Sequence, residues 1–272
     1  MSVLQVLLYV LQTPSRWLPG LKLVLYVLAG SKDVALKIDG IELVCGLRAG
    51  EGVWCALRGL EYEPELRAFL ALLLPGDTVI DLGANIGTYA IRSGKAVGEY
   101  GTVFAFEPFA RTRQRLQRSI YLNQAKNVII VPKAAGDHNG HVSLVVSGRG
   151  SSASVIHSVS GGKAHEVPSI TIDDFIRTNS VSKVDWVKMD IEGGEPSALR
   201  GMVTTIEKWR PAFLFENESG GAESAKLLRQ SGYVIGTVNL SGEFVEGTSG
   251  GNLFAFPRER MPKIFTHRTG HH

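Results

Sequence analysis

Acidic and glycine residues at the ends of two predicted strands are the residues best suited to chemistry. Val79-Ile80-Asp81 ends one strand, and Gly83-Ala84-Asn85-Ile86-Gly87 then turns into a helix. Glycine lets the backbone approach a ligand closely, and doubly wound sheets bind ligands over the carboxyl ends of their strands. The next strand ends in Phe106-Glu107-Pro108, whose carboxylate is suited to accept hydrogen bonds from two ribose hydroxyls. The two strand ends together predict a site for a nucleoside cofactor.

The residue types in this loop favour a cationic cofactor over a dinucleotide. A nicotinamide enzyme would carry GxGxxG here, with the pyrophosphate at the helix N-terminus. This chain has Asn85 in place of the middle glycine and Asp81 just before the turn. S-adenosylmethionine (SAM) carries an ammonium and a sulfonium but no phosphate, so an acidic residue at this position suits it. We therefore expect SAM as the cofactor.

A second set of ionisable residues follows two later strands. Lys188, Asp190 and Glu192 lie where one strand meets a loop, and Glu216 ends the next strand. Crowded carboxylates repel each other unless a cation neutralises them, and SAM, Lys188 or a divalent metal such as Mg²⁺ are the options. We predict Asp190, Glu192 and Glu216 as catalytic candidates, since a hydroxyl acceptor profits from a base. Glu195 would in the simplest interpretation stabilise the start of the following helix.

A histidine from the segment 136–171 is the alternative base. The candidates are His138, His141, His157 and His165. We predict this segment as an irregular insert that covers the acceptor, because it interrupts the strand-helix rhythm and contains the Gly/Ser-rich run Ser147 to Ser152.

Alternating strands and helices are predicted to position the candidate residues. The strands are Thr78–Leu82, Thr102–Phe106, Val128–Val131, Val184–Met189 and Ala212–Phe215, and the helices are Glu63–Leu74, Gly87–Val97 and Ala110–Asn123. Apolar strands with little alternation, each followed by an amphipathic helix, are typical of a doubly wound parallel sheet covered on both faces. Tyr233–Val238 and Leu253–Phe256 are expected to close the sheet as a final hairpin.

Composition excludes several classes of protein. The chain has 272 residues, 44% of them hydrophobic, which fits one large α/β domain. Its 29 basic and 26 acidic residues give a net charge of +3, too weak a basic excess to indicate a nucleic-acid partner. Only two cysteines are present, with no CxxC pair, so neither a zinc site nor a disulfide framework is expected. This cysteine usage is compatible with a cytoplasmic location.

The first thirty residues contain two apolar runs, Leu4–Leu11 and Leu21–Ala29. Neither approaches the ~20 residues needed to span a bilayer, and no basic residue precedes the first run, which argues against a secretory signal. Two interpretations stay open. The runs form short helices packed on the catalytic domain or on a second copy in a homodimer, or they form a peripheral anchor at a membrane surface.

The chain is accordingly divided into three parts. Residues 1–60 are an extension of apolar helices and a β-hairpin, in which strands Ala35–Ile38 and Ile41–Cys45 flank the turn Asp39-Gly40. Residues 61–260 form the cofactor-binding domain. Residues 261–272 are a tail whose last histidines, His271 and His272, resemble a tag remnant.

These residues resemble the FkbM-type family of SAM-dependent methyltransferases. The matching stretches lie within roughly residues 60–220 and are Tyr62-Glu63, Val79–Gly87, Phe106–Pro108, Thr171–Asp174, Val184–Glu195 and Pro211–Asn217. The resemblance implies a class I, Rossmann-like α/β fold. In that fold a mostly parallel seven-stranded sheet with one antiparallel strand carries helices on both faces.

The resemblance also implies roles for individual residues. Asp81, Gly83, Asn85 and Gly87 would hold the methionine end of SAM, together with Ala84. Glu107, with Pro108, would hold the ribose, Asp137 would lie near the adenine, and Glu63 would close over the cofactor from the side.

Many family members resemble O-methyltransferases of sugars, glycolipids or polyketide-type natural products. The resemblance therefore implies O-methylation of a small hydroxylated molecule. N-methylation of a small molecule or peptide is the alternative within the same enzyme class. A nicotinamide-dependent oxidoreductase and a non-catalytic, membrane-associated binding protein are the alternatives from other classes.

Overall fold

The computed structural model describes residues 33–46, 64–146, 153–155, 163–218, 220–239 and 242–261. The strands in chain order are β1 (Asp33–Ile38), β2 (Ile41–Gly46), β3 (Thr78–Leu82), β4 (Thr102–Phe106), β5 (Val128–Val131), β6 (Ala134–Ala135), β7 (Gly140–Val146), β8 (Ala153–Val155), β9 (Lys163–Ile170), β10 (Trp186–Met189), β11 (Ala212–Glu216), β12 (Tyr233–Val238), β13 (Phe244–Glu246) and β14 (Asn252–Pro257). The helices are α1 (Pro64–Leu72), α2 (Thr88–Val97), α3 (Ala110–Leu122), α4 (Ile172–Thr178), α5 (Glu195–Arg200), α6 (Val203–Trp209) and α7 (Gly221–Gln230), and a 3₁₀ turn follows at Arg258–Arg260.

A mostly parallel sheet of eight strands forms the centre of the fold, in the order β13-β12-β14-β11-β10-β3-β4-β5. The five strands from β11 to β5 pair in parallel, while β14 runs antiparallel to β11 and β12. The predicted doubly wound α/β class is confirmed. The predicted count of seven strands is wrong, because β13 adds an eighth strand, antiparallel to β12. Its three residues are half-buried or exposed and so carry no apolar pattern.

The two faces of the sheet are packed against separate apolar clusters. Val79 and Ile80 are neighbours in β3, and both are fully buried, yet they belong to different clusters. One cluster includes Phe69 of α1 and Leu116 of α3, and the other includes Phe175 of α4. Burial on both faces explains why the central strands read as apolar runs without alternation.

The hairpin of β1 and β2 packs on this domain. Asp39 and Gly40 have φ values of 47° and 80°, as a tight hairpin turn requires. The backbone N–H of Val44 donates to Ser119 Oγ at 2.8 Å, and Arg115 pairs with Asp33 at 2.9 Å. The predicted hairpin is therefore present and is tied to α3. The proposed division at residue 60 falls outside the described residues and stays a prediction.

A second sheet, in the order β6-β9-β7-β8, occupies much of the segment predicted to be an irregular insert. That prediction is wrong. In β9, Val167 is buried between exposed Glu166 and Pro168, which is the period-two pattern of a half-buried strand. In β7 the alternation runs from exposed His141 to buried Leu144 and ends at Val145, which is buried as well. The Gly/Ser-rich run between these strands obscured the alternation.

Among the described residues, no helix combines the length and the apolar character that crossing a bilayer demands.

Candidate functional site

The loop after β3 bends through three residues with positive φ. Gly83, Asn85 and Gly87 have φ values of 78°, 52° and 102°. Asparagine tolerates this left-handed region better than most residues, so it can stand where a dinucleotide loop has its middle glycine. The N–H groups of Gly83 and Ala84 donate to Phe106 O at 3.1 and 3.0 Å. The loop is thereby fastened to the end of β4.

Close packing of the protein on itself requires glycine at two of these positions. A Cβ at Gly83 would lie 2.0 Å from the carbonyl oxygen of Asp190, and one at Gly87 would lie 2.8 Å from a methyl carbon of Leu116. From the sequence we expected close approach of a ligand as the reason. The described contacts add a second reason, because the carbonyl of Asp190, directly after β10, lies against Gly83, and Leu116 of α3 lies against Gly87. Close approach of a ligand stays a prediction.

Glu107 joins the two strand ends. Its side chain is buried, and its Oε2 accepts a hydrogen bond from Asn85 N at 3.1 Å. Its Oε1 accepts from Phe109 N at 2.8 Å. A carboxylate can accept about four hydrogen bonds, so these two do not by themselves exhaust its capacity. The carboxylate is held rigidly at the carboxyl end of β4.

Asp81 lies beneath the loop. Its Oδ1 is 3.4 Å from Lys188 Nζ, and the two side chains are 1% and 6% exposed. The same ammonium lies 3.4 Å from Asp190 Oδ2 and 4.8 Å from the centre of the Tyr89 ring. Burial raises the pKa of Asp81, and Lys188 opposes that rise. Lys188 thus supplies the positive charge between two of the crowded carboxylates.

A cavity opens over the ends of β3, β4 and β10. The predicted residues that line it are Gly83, Asn85, Glu107, Pro108, Asp190 and Glu192. Its apolar wall includes Phe109, which follows Pro108 directly, and Val142 and Leu144 of β7. Sequence analysis missed these three residues, although the alternation along β7 is the signal that could have revealed Val142 and Leu144.

Four other predicted cofactor-binding residues do not line this cavity. Asp81 is buried beneath the loop, and Ala84 and Gly87 are buried within it. Asp137 follows the lining residue Gly136 but is exposed, and it pairs with His138 at 2.8 Å.

The histidine candidates and Glu63 have varied locations. His138 and His141 are exposed, and the ring centre of His165 lies 6.0 Å from that of Phe109. His157 and Glu63 lie outside the described residues.

Glu216 stands at the end of β11, next to β10. Burial, followed by repulsion from Asp190, Glu192, Glu195 and Glu218, raises its pKa to about 8. The structure therefore brings the three catalytic candidates to one edge of the sheet, with two in the cavity wall and Glu216 electrostatically coupled to both.

Comparison with known proteins identifies the family. A family model described as "Methyltransferase FkbM domain" matches residues 81–235, more than half of the chain. The chain belongs to the FkbM methyltransferase family. The assignment made from the sequence is thus confirmed, and with it the enzyme class, a methyltransferase that uses SAM. This result excludes the nicotinamide oxidoreductase.

Individual relatives are also similar to this FkbM-family chain. The hexuronic acid methyltransferase AglP of Haloferax volcanii is 31% identical over 178 residues, which cover 63% of this chain and 69% of the relative. The structure of methyltransferase FkbM from Methylobacillus flagellatus KT has 18% identity and a TM-score of 0.45, covering 75% of this chain. This chain spans about half of that protein, 54%. The O-methyltransferase from Bacillus cereus in complex with SAH has 13% identity and a TM-score of 0.46, covering 72% of this chain and 82% of that one.

Proposed function

We propose that the chain transfers a methyl group from SAM to a hydroxyl of a sugar or sugar-containing small molecule. The observation that carries the proposal is one cavity lined by two chemically distinct groups of residues. The loop at Gly83 to Asn85 and Glu107 form the first group, and Asp190 and Glu192 form the second. The similarity to a protein named as a hexuronic acid methyltransferase supports a sugar acceptor.

The first group suits the cofactor. Glu107 would accept the ribose hydroxyls, and the apolar wall of Phe109, Val142 and Leu144 would pack against the base. Asp81 would act indirectly, through Lys188 and the loop above it. When bound, SAM supplies a methyl group on a sulfonium, ready for in-line displacement, so much of the acceleration comes from positioning.

The second group suits removal of a proton. A sugar hydroxyl is a weak nucleophile, and a carboxylate within hydrogen-bond reach accepts its proton as the new bond forms. Asp190 and Glu192 are placed to orient the acceptor and receive that proton, and Glu216 is the neighbouring group that can share it.

The first test of these roles is a pair of conservative substitutions. Asp190→Asn and Glu192→Gln are each expected to lower kcat by about 100-fold, the lower range for loss of a general base, with SAM affinity changed less than about 3-fold. Steady-state kinetics and calorimetry separate the two quantities. Unchanged turnover would remove the substituted residue from the catalytic set.

The pH dependence of turnover tests Glu216. Because its pKa lies near 8, its ionised fraction rises about 10-fold between pH 7 and 9, and kcat should rise with it if this carboxylate shares the proton. Glu216→Gln should flatten that limb of the profile. A wild-type profile already flat over this interval would contradict the role.

The raised pKa of Glu216 also lowers the free energy of unfolding as pH climbs from 4.5 towards 8, because the carboxyl ionises at lower pH in the unfolded chain than in the folded one.

The function itself is tested with radiolabelled SAM and three acceptors: methyl glucuronoside, methyl glucoside and an amino sugar. We expect label on an oxygen of one of the first two. Label on the amino nitrogen would instead support N-methylation. Absence of transfer to all three, with SAM binding intact, would move the acceptor outside simple sugars and towards glycolipids or polyketides.

Mg²⁺ is left without a role in this proposal. In the described part of the chain, no group of three or more His, Cys, Asp or Glu side chains is arranged to hold a metal ion. The same assay in EDTA decides the question, and we expect unchanged turnover.

A cytoplasmic location is part of the proposal, as is contact of residues 1–30 with a membrane surface or a second copy of the chain. Two comparisons of the intact chain with one that lacks residues 1–30 distinguish these contacts. Binding to anionic vesicles in a flotation assay that is lost on truncation supports contact with a membrane. A change from dimer to monomer in the mass measured in solution supports the homodimer.

A further inference from the structure

The turn that follows β10 holds one cavity residue in an unusual backbone conformation. Glu192 lines the cavity and has φ of 55°, in the left-handed region that side chains other than Gly, Asn and Asp rarely adopt. A residue without a glycine's freedom keeps such a conformation only when its surroundings impose it. The next residue, Gly193, has φ of 94°.

Glu195 makes contacts on both sides of Glu192. Its Oε1 accepts a hydrogen bond from Ile191 N at 2.8 Å, and its Oε2 accepts from Gly193 N at 3.0 Å. The side chain is fully buried, at 0% exposure, and is not among the cavity-lining residues. One carboxylate thus bridges the backbone N–H groups of the two residues that flank Glu192.

Burial makes the ionised form of the Glu195 carboxyl group energetically unfavourable. Desolvation raises the pKa of Glu195, and its hydrogen bonds to the turn oppose that rise. The expectation that Glu195 merely stabilises the start of a helix does not account for these bonds. They run backwards to Ile191 and Gly193, before the helix, and the N-cap residue of α5 is Gly194.

We propose that Glu195 is a positioning residue, which imposes the left-handed conformation on Glu192 and so fixes the Glu192 carboxylate in the cavity. This inference rests on the proposed function, because it assigns Glu192 a part in turnover. Glu195 itself touches neither the cofactor nor the acceptor.

The kinetic test is a double-mutant cycle of Glu195→Gln and Glu192→Gln. Glutamine keeps the size of Glu195 but offers an oxygen to only one of the two N–H groups. We expect kcat with methyl glucuronoside to fall at least 10-fold in Glu195→Gln, while SAH affinity by calorimetry stays within about 3-fold. The double variant should turn over like Glu192→Gln alone, because both changes act through the same carboxylate. If the loss of kcat in the double variant equalled the product of the two single losses, the proposal would be overturned.

Glu223→Gln provides the matched control. Glu223 also lies in the first turn of a helix, α7, but it is exposed and pairs with Arg200 at 2.8 Å. We expect wild-type turnover from this variant. A comparable loss there would trace the Glu195 effect to general helix electrostatics and would overturn the positioning role.

A second comparison needs no acceptor and keeps Glu195 intact. Glu192→Gly and Glu192→Ala both lack the carboxylate, but only glycine accepts φ of 55° without strain. We expect Glu192→Gly to unfold at a Tm about 2–4 °C above that of Glu192→Ala. Equal values, or a higher Tm for alanine, would overturn the imposed conformation even if Glu195→Gln fails to fold. If Glu192→Gln retains full turnover, the catalytic role of Glu192 fails, whereas this Tm comparison still judges the conformation.

Discussion

Replacement of Glu107 by alanine is expected to weaken SAM binding by about 100-fold or more. The substitution removes the proposed acceptor of two ribose hydroxyl bonds, and hydrogen bonds to a charged group are worth about 1.5–3 kcal/mol each. It also leaves Asn85 N and Phe109 N without the carboxylate that now joins loop and strand. Isothermal titration calorimetry with SAM and with SAH measures the loss.

Two further variants test whether the loss of SAM affinity comes from the Glu107 carboxylate. Glu107→Gln keeps one acceptor oxygen and should give an intermediate affinity. Glu259→Ala breaks an exposed ion pair with Arg210, so its SAM affinity should equal that of the wild type. Wild-type affinity in Glu107→Ala would mean that the cofactor lies elsewhere, and the proposed site would fail.

Substitution of Gly83 by alanine is expected to abolish measurable SAM binding. The new Cβ would lie 2.0 Å from the carbonyl oxygen of Asp190, so either the loop or the end of β10 must move. That carbonyl belongs to backbone, which cannot rotate away as a flexible side chain can. Because the loop connects to Glu107 through Asn85, its displacement disturbs both halves of the proposed site.

Gly76→Ala is the matched control for the backbone strain. Gly76 has φ of 87°, similar to the 78° of Gly83, but a Cβ there would meet no atom within 4 Å. Both variants therefore pay about 1–2 kcal/mol for a left-handed alanine, and only one clashes. We expect Gly76→Ala to lose some thermal stability and to bind SAM normally. Equal SAM affinity in the two variants would contradict the role of the close contact at Gly83.

Much of the central sheet was predictable because its signal is local. The bounds of β3, β4, β5 and β12 agree with the prediction, since each is a short apolar run set off by glycine, proline or polar residues. The strand β13 was not predictable. Its three residues owe their conformation to pairing with β12 rather than to a pattern of their own.

Some features of the candidate site could likewise be predicted from the sequence, and others could not. The acids that end strands could be predicted, because the carboxyl ends of neighbouring parallel strands meet at one edge. The pairing of Asp81 with Lys188 depends on strand register, which puts the two residues directly opposite each other in β3 and β10. The bonds of Glu195 depend on the left-handed turn before it. Residue types alone do not give the register, and although Gly193-Gly194 indicates a turn, it does not place Glu192 in the left-handed region.

The two sheets carry different parts of the cavity wall, so one part can change without the other. The strand ends that line the cavity at Leu82 and Phe106 belong to the eight-stranded sheet, whereas Val142 and Leu144 lie on a four-stranded sheet with its own backbone pairing. Substitutions at Val142 and Leu144 change the apolar wall of the cavity without removing a backbone hydrogen bond of the eight-stranded sheet. Because Val142 and Leu144 belong to the wall proposed to pack against the base of SAM, such changes would tune cofactor affinity while Asp190, Glu192 and Glu216 keep their positions at the strand ends.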